Sequence, residues 1–350
     1  MIENFKIFLE NITLTEAQMK DAKTKYEGVC GCLDRHFNDS SYNEAHKFLF
    51  GSYKHRTCVR PIVPEQDVDV LFKIDKDTYE KYKDNPGGLL QEVRNALKDT
   101  YTTTDRIKAW GKVVLVNFAE GKHNVEVLPA LEQDDNTFLI PNTENGGSWD
   151  VFDPRAQVDA FCASNKKTQC LTKKLAKMMK TWVRNTKTLD YSSYILLEDI
   201  IKFLNDYYPD GQGDTKFDQI VEEFLTYVHS RLDDTDSRKS HLKTAKTRAA
   251  NAIEYEKQGK HIEASEEWRK VFGSEFPKSE KNETKNNCGV FGFKEAPWPW
   301  GMLLEKMKLN GFPIIIQASG TIGSIKFYWE IFRSLRNTGT LSKSPTDMTL

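Results

Sequence analysis

The segment Asp67-Val68-Asp69-Val70-Leu71-Phe72-Lys73-Ile74 constrains this chain more than any other. Charged and apolar residues alternate at its start. Alternation is the period of a β-strand, because successive side chains point to opposite faces. Asp67 and Asp69 therefore leave the strand on one side, as a pair. Two carboxylates so placed repel one another unless a cation lies between them. Hard oxygen ligands at this spacing suit Mg²⁺, which takes carboxylates together with substrate phosphates.

The flanking segments extend this pattern. Lys47 to Ser52 (KFLFGS) reads as a short strand running into a turn at Gly51. A glycine turn lets backbone N–H groups approach a phosphate, and the Ser52 hydroxyl can donate to one. Lys112 to Phe118 and Asn124 to Leu128 read as two more strands, joined by a hairpin turn at Glu120 to His123. Glu126 sits in the middle of the second. If that strand lies beside Asp67 and Asp69, Glu126 projects to the same side. Three acids on adjacent strands can hold two metal ions, one activating an attacking hydroxyl and the other stabilising a leaving pyrophosphate. Helices are expected from Leu14 to His36, capped by Thr15, and from Leu89 to Leu97 after the Asn85-Pro86-Gly87-Gly88 break. The first 150 residues thus read as a mixed α/β unit with a largely antiparallel or mixed sheet.

After Glu144-Asn145-Gly146-Gly147-Ser148 the pattern becomes helical, from Pro154 to about Phe272, with its main interruption at Tyr208 to Gly213. Leu171, Leu175, Met178, Met179 and Trp182 form an apolar stripe at helical spacing. Lys173, Lys177, Lys180 and Arg184 fall opposite, in a stretch from Ala163 to Lys187 that has eight basic residues and no acidic one. Such a face is either solvated or lines a cleft that holds a triphosphate. A polar linker, Ser279 to Asn287, follows. The end of the chain is irregular apart from a helix expected around Ile325 to Leu335.

Composition excludes several classes. With 39% hydrophobic and 29% charged residues, the 350-residue chain is neither disordered nor fibrous, and its length suits two lobes. A net charge of −1 argues against a general nucleic-acid binder, so no stable nucleic-acid partner is expected. The longest uncharged run, Leu309 to Ile325, is too polar and too broken to cross a membrane, and the N-terminus is unlike a signal peptide. A cytoplasmic location is the expectation. The six cysteines form no CxxC pair, so a zinc ribbon is unsupported, and Cys30-Gly-Cys32 reads as two thiols on or beside a helix. There is no GxxxxGK[ST], GxGxxG or HExxH. His55 reads as a turn residue within reach of phosphate, His123 as hairpin surface, and Cys58 as structural.

The run from Gly51 to Ile74 (GSYKHRTCVRPIVPEQDVDVLFKI) resembles the signature of nucleotidyltransferases related to cyclic GMP–AMP synthase and its bacterial counterparts. Thr57 to Pro61 is similar to the family's Thr-x-Ile-Arg-Pro segment. Val125 to Ala130 resembles the third-acid strand, with Glu126 where Asp is usual. Lys177 to Trp182 (KMMKTW) and Tyr191-Ser192-Ser193-Tyr194 resemble the family's lysine helix and Ser-Ser-Tyr element. Glu266 to Pro277 is similar to its Trp-x-x-x-Phe-Gly segment. The resemblance implies an α+β fold: a polymerase-β-like lobe over 1–150 with an N-terminal bracing helix, a helical lobe over 151–278, and an active site in the cleft between them. Residues 279–350 lie outside it, as a linker and extension.

The resemblance also implies chemistry. Asp67, Asp69 and Glu126 would be the catalytic residues and the ligands of Mg²⁺ or Mn²⁺, with Glu126 drawing the proton from the attacking ribose hydroxyl. Gly51, Ser52, Lys180 and Ser193 would bind the nucleotide's phosphates, and Tyr194 would stack on its base. The substrates would be NTPs, ATP or GTP foremost. The product would be a cyclic di- or trinucleotide second messenger in anti-phage CBASS signalling, alongside accessory proteins and a cyclic-nucleotide-activated effector. The alternatives are a linear 2′–5′ oligoadenylate-type or template-free RNA nucleotidyltransferase, and a catalytically silent, antitoxin-like module.

Overall fold

The alternating segment forms a strand at the centre of a mixed sheet. In the computed structural model, residues 1–280 are described, save 64–65, 105, 119–122 and 212–215. The expected linker from 281 onward, the helix at 325–335 and the turn at 120–122 lie outside the described residues. In chain order the elements are α1 (Ile2–Ile12), α2 (Glu16–Asn38), β1 (Lys47–Leu49), α3 (Gly51–Lys54), β2 (Asp67–Ile74), α4 (Lys76–Tyr82), α5 (Pro86–Thr100), β3 (Ile107–Trp110), β4 (Val113–Val116), β5 (Asn124–Glu132), β6 (Phe138–Asn142) and β7 (Ser148–Phe152). The helical part follows: α6 (Pro154–Lys167), α7 (Leu171–Asn185), α8 (Ser193–Tyr207), α9 (Phe217–Arg231), α10 (Arg238–Lys257) and α11 (His261–Phe272).

The strand order is β1-β2-β5-β4-β3, with β6 pairing the far end of β5 and β7 pairing β6. Among the described strands only β2 and β5 run parallel; the other pairs are antiparallel. The sheet is therefore mixed, and with the helices beyond residue 153 it gives an α+β, polymerase-β-like fold. The period of two in β2 divides its residues cleanly. Val68, Val70, Phe72 and Ile74 enter a core closed by α2 and α5, where Val29, Leu33, Leu89, Leu90 and Val93 are fully buried. Asp67, Asp69 and Leu71 face the other way, and Leu71 joins a smaller cluster with Leu128, Phe138 and Ile140.

Local signals explain the element ends. Thr15 and Gln18 form a reciprocal capping box that starts α2. Asn85 caps α5 and Asp153 caps α6, each with proline in the first turn. The α7 stripe, Leu171, Leu175, Met178, Met179 and Trp182, is wholly buried in the helical core.

Four expectations are corrected. The first concerns the start of the chain. α1, which sequence reading passed over, precedes α2, and its Phe5, Phe8 and Ile12 lie in the helical core against Trp268, Phe272 and Phe276. The bracing is thus split: α1 packs on the helices, α2 on the sheet. The second concerns strands. β3, β6 and β7 are present where none was expected, being short and lacking clean alternation. Third, the strand expected to reach Ser52 ends at Leu49, and Gly51–Lys54 is one helical turn. Gly51 has φ +63, and a Cβ there would lie 2.0 Å from Asp69 Oδ2, so only glycine lets the chain turn beneath that carboxylate. Fourth, His123 is fully buried. α2 packs across the start of β5, and Lys25 Nζ donates to the His123 carbonyl at 3.2 Å.

Candidate active site

The register of β2 and β5 builds the site. Asp67 pairs with Asn124 and Asp69 with Glu126. In-register residues of parallel neighbours share a face, with strands about 4.8 Å apart. Glu126 therefore stands beside Asp69 on the face away from the α2–α5 core. All three acids line one open cleft of about 560 Å³ between the sheet and the helices.

The cleft gathers the other residues singled out from the sequence. Gly51 and Ser52 form its floor beside Asp69, and Lys180, Ser193 and Tyr194 come from α7 and α8 across it. Ser192 Oγ accepts from the Ile195 backbone N–H and caps α8, so Ser193 and Tyr194 open that helix at the cleft. Tyr194 is 51% exposed, and its hydroxyl donates to Glu198 at 2.8 Å. Lys180 Nζ donates to Thr57 Oγ1 at 3.3 Å, joining α7 to the segment after α3. Arg184, one turn on, donates to Pro61 O at 2.7 Å and Gln66 Oε1 at 2.8 Å. The basic face of α7 is thus largely enclosed by protein, not solvated.

The electrostatics show how crowded the acids are. Burial, then Asp67, pushes the Asp69 carboxyl up to about 6, although Lys180 and the Ser52 backbone N–H pull the other way. Burial, then Asp67 and Asp69, lifts Glu126 to about 7. Burial also holds Lys180 below the ordinary lysine range, opposed by Cys58 and Asp69. A cleft with acids on one wall and a lysine and a helix start on the other can hold a nucleoside triphosphate with divalent cations. The helix start favours anionic phosphate, and the carboxylates favour the metal.

Sequence reasoning missed Gln66 and Gln157 in this cleft, and it read His55 as a turn residue without its burial. His55 is buried, stacked on Phe161 of α6 at 4.4 Å, and held neutral, down to about 4, by burial and then by Lys180 and Lys54. Gln66, beside Asp67, is buried and fixes Arg184. Gln157 reaches the cleft from α6. Neither glutamine carries a signal in the chain, and the burial of His55 comes from the packing of α6 on α3. Cys58 is buried with Sγ 3.2 Å from Ser52 Oγ, as a structural residue would be.

The chain is similar to several known proteins. Residues 1–165 match the Second Messenger Oligonucleotide or Dinucleotide Synthetase domain. A cyclic AMP-AMP-AMP synthase of Acinetobacter is 24% identical over 314 residues, covering 82% of this chain and 89% of that protein. A probable cyclic nucleotide synthase of Bacillus cereus is 26% identical over 277 residues, covering 66% and 82% respectively. Among solved structures, E. coli CdnC with ATP superposes with a TM-score of 0.60 at 16% identity, covering 79% of this chain and 98% of that one. Vibrio cholerae DncV, a cyclic AMP-GMP synthase, bound to nonhydrolysable GTP gives 0.60 at 14% identity, covering 77% and 93%. Over its first 165 residues the chain thus matches this synthetase domain, over most of its length it is similar to bacterial cyclic nucleotide synthases, and it shares the fold of CdnC and DncV.

Proposed function

We propose that the chain makes a cyclic di- or trinucleotide from NTPs, ATP foremost, by successive attack of a ribose hydroxyl on an α-phosphate with release of pyrophosphate. The observation that carries this reading is the register of Asp67, Asp69 and Glu126 opposite Gly51-Ser52, Lys180, Ser193 and Tyr194 in one cleft. ATP is the first substrate to try because a relative is a cyclic AMP-AMP-AMP synthase.

The acids fit a divalent cation. Among the described residues no three metal-ligating side chains are already drawn together. Asp69 is, however, held above its ordinary value by burial and then Asp67, and Glu126 by burial, then Asp67 and Asp69, a cost that a cation would relieve. Mg²⁺ or Mn²⁺ held by Asp67, Asp69 and Glu126 would neutralise the acids and polarise the reacting phosphate. The protein's own groups do the rest. Lys180 and the Ser193 end of α8 hold the donor phosphates, and Ser52 with its backbone turn orients them. Tyr194 offers its exposed ring to a base. Glu126 is the carboxylate that would accept the proton of the attacking hydroxyl. The product would act as a second messenger in anti-phage CBASS defence, read by a cyclic-nucleotide-activated effector and governed by accessory proteins.

The test is mass spectrometry of products from an equimolar mix of four NTPs with Mg²⁺ or Mn²⁺. A phosphatase-resistant cyclic product supports the reading. A phosphatase-sensitive ladder would mean a linear polymer, and no pyrophosphate would mean a silent module.

A further inference from the structure

The basic stripe of α7 is divided between two cavities. Lys180 and Arg184 reach the cleft, whereas Lys173 and Lys177 line a second cavity of about 400 Å³. Its other walls are the Thr13–Leu14 turn between α1 and α2, the start of α2, and Tyr53, Arg56 and Cys58 around α3. Its volume is in the range that takes a small molecule.

Three cations meet there without a counterion. Among the described residues no carboxylate lies within 4.0 Å of the charged atoms of Arg56, Lys173 or Lys177. Lys177 is only 8% exposed, and its one hydrogen bond is donated to the Thr13 hydroxyl at 2.9 Å. Burying an ammonium without a paired anion is costly, and the like charges beside it add to the cost. Burial and then Lys173, with Arg56 adding to them, hold the Lys177 amine down to about 8. Glu16, on the cavity's rim, is the one acid lining it. Such a group of cations is stable at little cost only when an anion joins it.

We propose that this second cavity binds a small molecule carrying two or more phosphate or carboxylate groups, held by Arg56, Lys173 and Lys177. The burial of Lys177 argues for a small ligand. A duplex nucleic acid is bound by rows of exposed cations along its backbone, and Lys177 is too deeply set to join such a row. Cys58 lines both cavities, with its Sγ 3.2 Å from Ser52 Oγ, so a single side chain separates an occupant from the cleft.

The test titrates inorganic tripolyphosphate, and separately citrate, into the full chain by calorimetry. The cleft is first filled with a nonreactive ATP analogue and Mg²⁺. We expect one further saturable site per chain. Lys173→Glu and Arg56→Glu should each weaken it at least tenfold while leaving affinity for the ATP analogue within twofold. The two probes separate phosphate from carboxylate chemistry. The inference is overturned if neither probe binds, or if binding is unchanged in both variants. It is equally overturned if only a DNA duplex, run as a third arm, binds in a Lys173-dependent way. Failure of the ATP analogue itself would instead count against the reading of the cleft, so the two outcomes are distinguishable.

Discussion

Asp69→Asn should leave the metal-free protein more stable, not less, at neutral pH. Asp69 moves from its ordinary 3.8 to about 6 on folding, through burial and then the charge of Asp67. Taken alone, that shift costs the ionised folded state about 3 kcal/mol. Asp67 and Glu126 share the repulsion, so the expected gain on removing one charge is about 1–3 kcal/mol, or about 2–8 °C in Tm. The sign follows from the folded carboxyl being the weaker acid. Below pH 4 both states are protonated and the penalty is absent. As pH rises from about 4 to about 6 the unfolded chain ionises first and stability falls; above that window the full cost remains. Glu126, lifted to about 7, carries the same loss further, towards neutrality. Thermal melts in EDTA at pH 5 and pH 8 test this. Wild type should lose stability between them, and the Asn variant should lose less and melt higher at pH 8. Turnover should be abolished, because a carboxylate is gone from the acid group. An Asn variant that melts lower than wild type at pH 8 without metal would refute the electrostatic argument.

Other predictions follow from single contacts. Lys180→Ala should raise the NTP KM by a factor corresponding to about 1.5–3 kcal/mol, typical of a charge-assisted bond, whereas Lys173→Ala, which faces the other cavity, should leave KM nearly unchanged; initial rates measure both. Tyr194→Ala should weaken nucleotide binding by about 1–3 kcal/mol and Tyr194→Trp should restore it, if the exposed ring stacks on a base; equilibrium binding of an ATP analogue decides. Truncation after Glu280 should leave a soluble chain that still consumes NTP, because Phe276 completes the aromatic cluster with Phe5 and Phe8 and Ser279 hydrogen-bonds Ser265 and Asn4. Truncation before Phe276 should cost several kcal/mol by opening that core, seen as a lower Tm.

Much of the site was legible along the chain because it rests on short-range periods. The alternation in β2 put Asp67 and Asp69 on one side, and the 3.6-residue period of α7 separated Trp182 and Met179 from Lys180. Both are properties of a local backbone, which any neighbour must accept. The fold itself was less complete. α1 is marked only by Phe5, Phe8 and Ile12, and β3, β6 and β7 are too short for alternation to register. His123 was misread because a polar residue after a turn looks exposed until α2 is laid across it.

What local pattern could not decide was depth and partnership. The pairing of Asp69 with Glu126 depends on β2 and β5 running parallel in one register, and the residues between them do not encode it. The division of one basic stripe into Lys180 at the cleft and Lys177 at a second cavity depends on where the α1–α2 turn and α3 meet α7. His55 and Gln66 became buried cleft residues only when α6 and α7 closed over them. Periodicity settles which way a side chain points from its own element; only long-range packing, summed over many weak contacts, settles what it meets there.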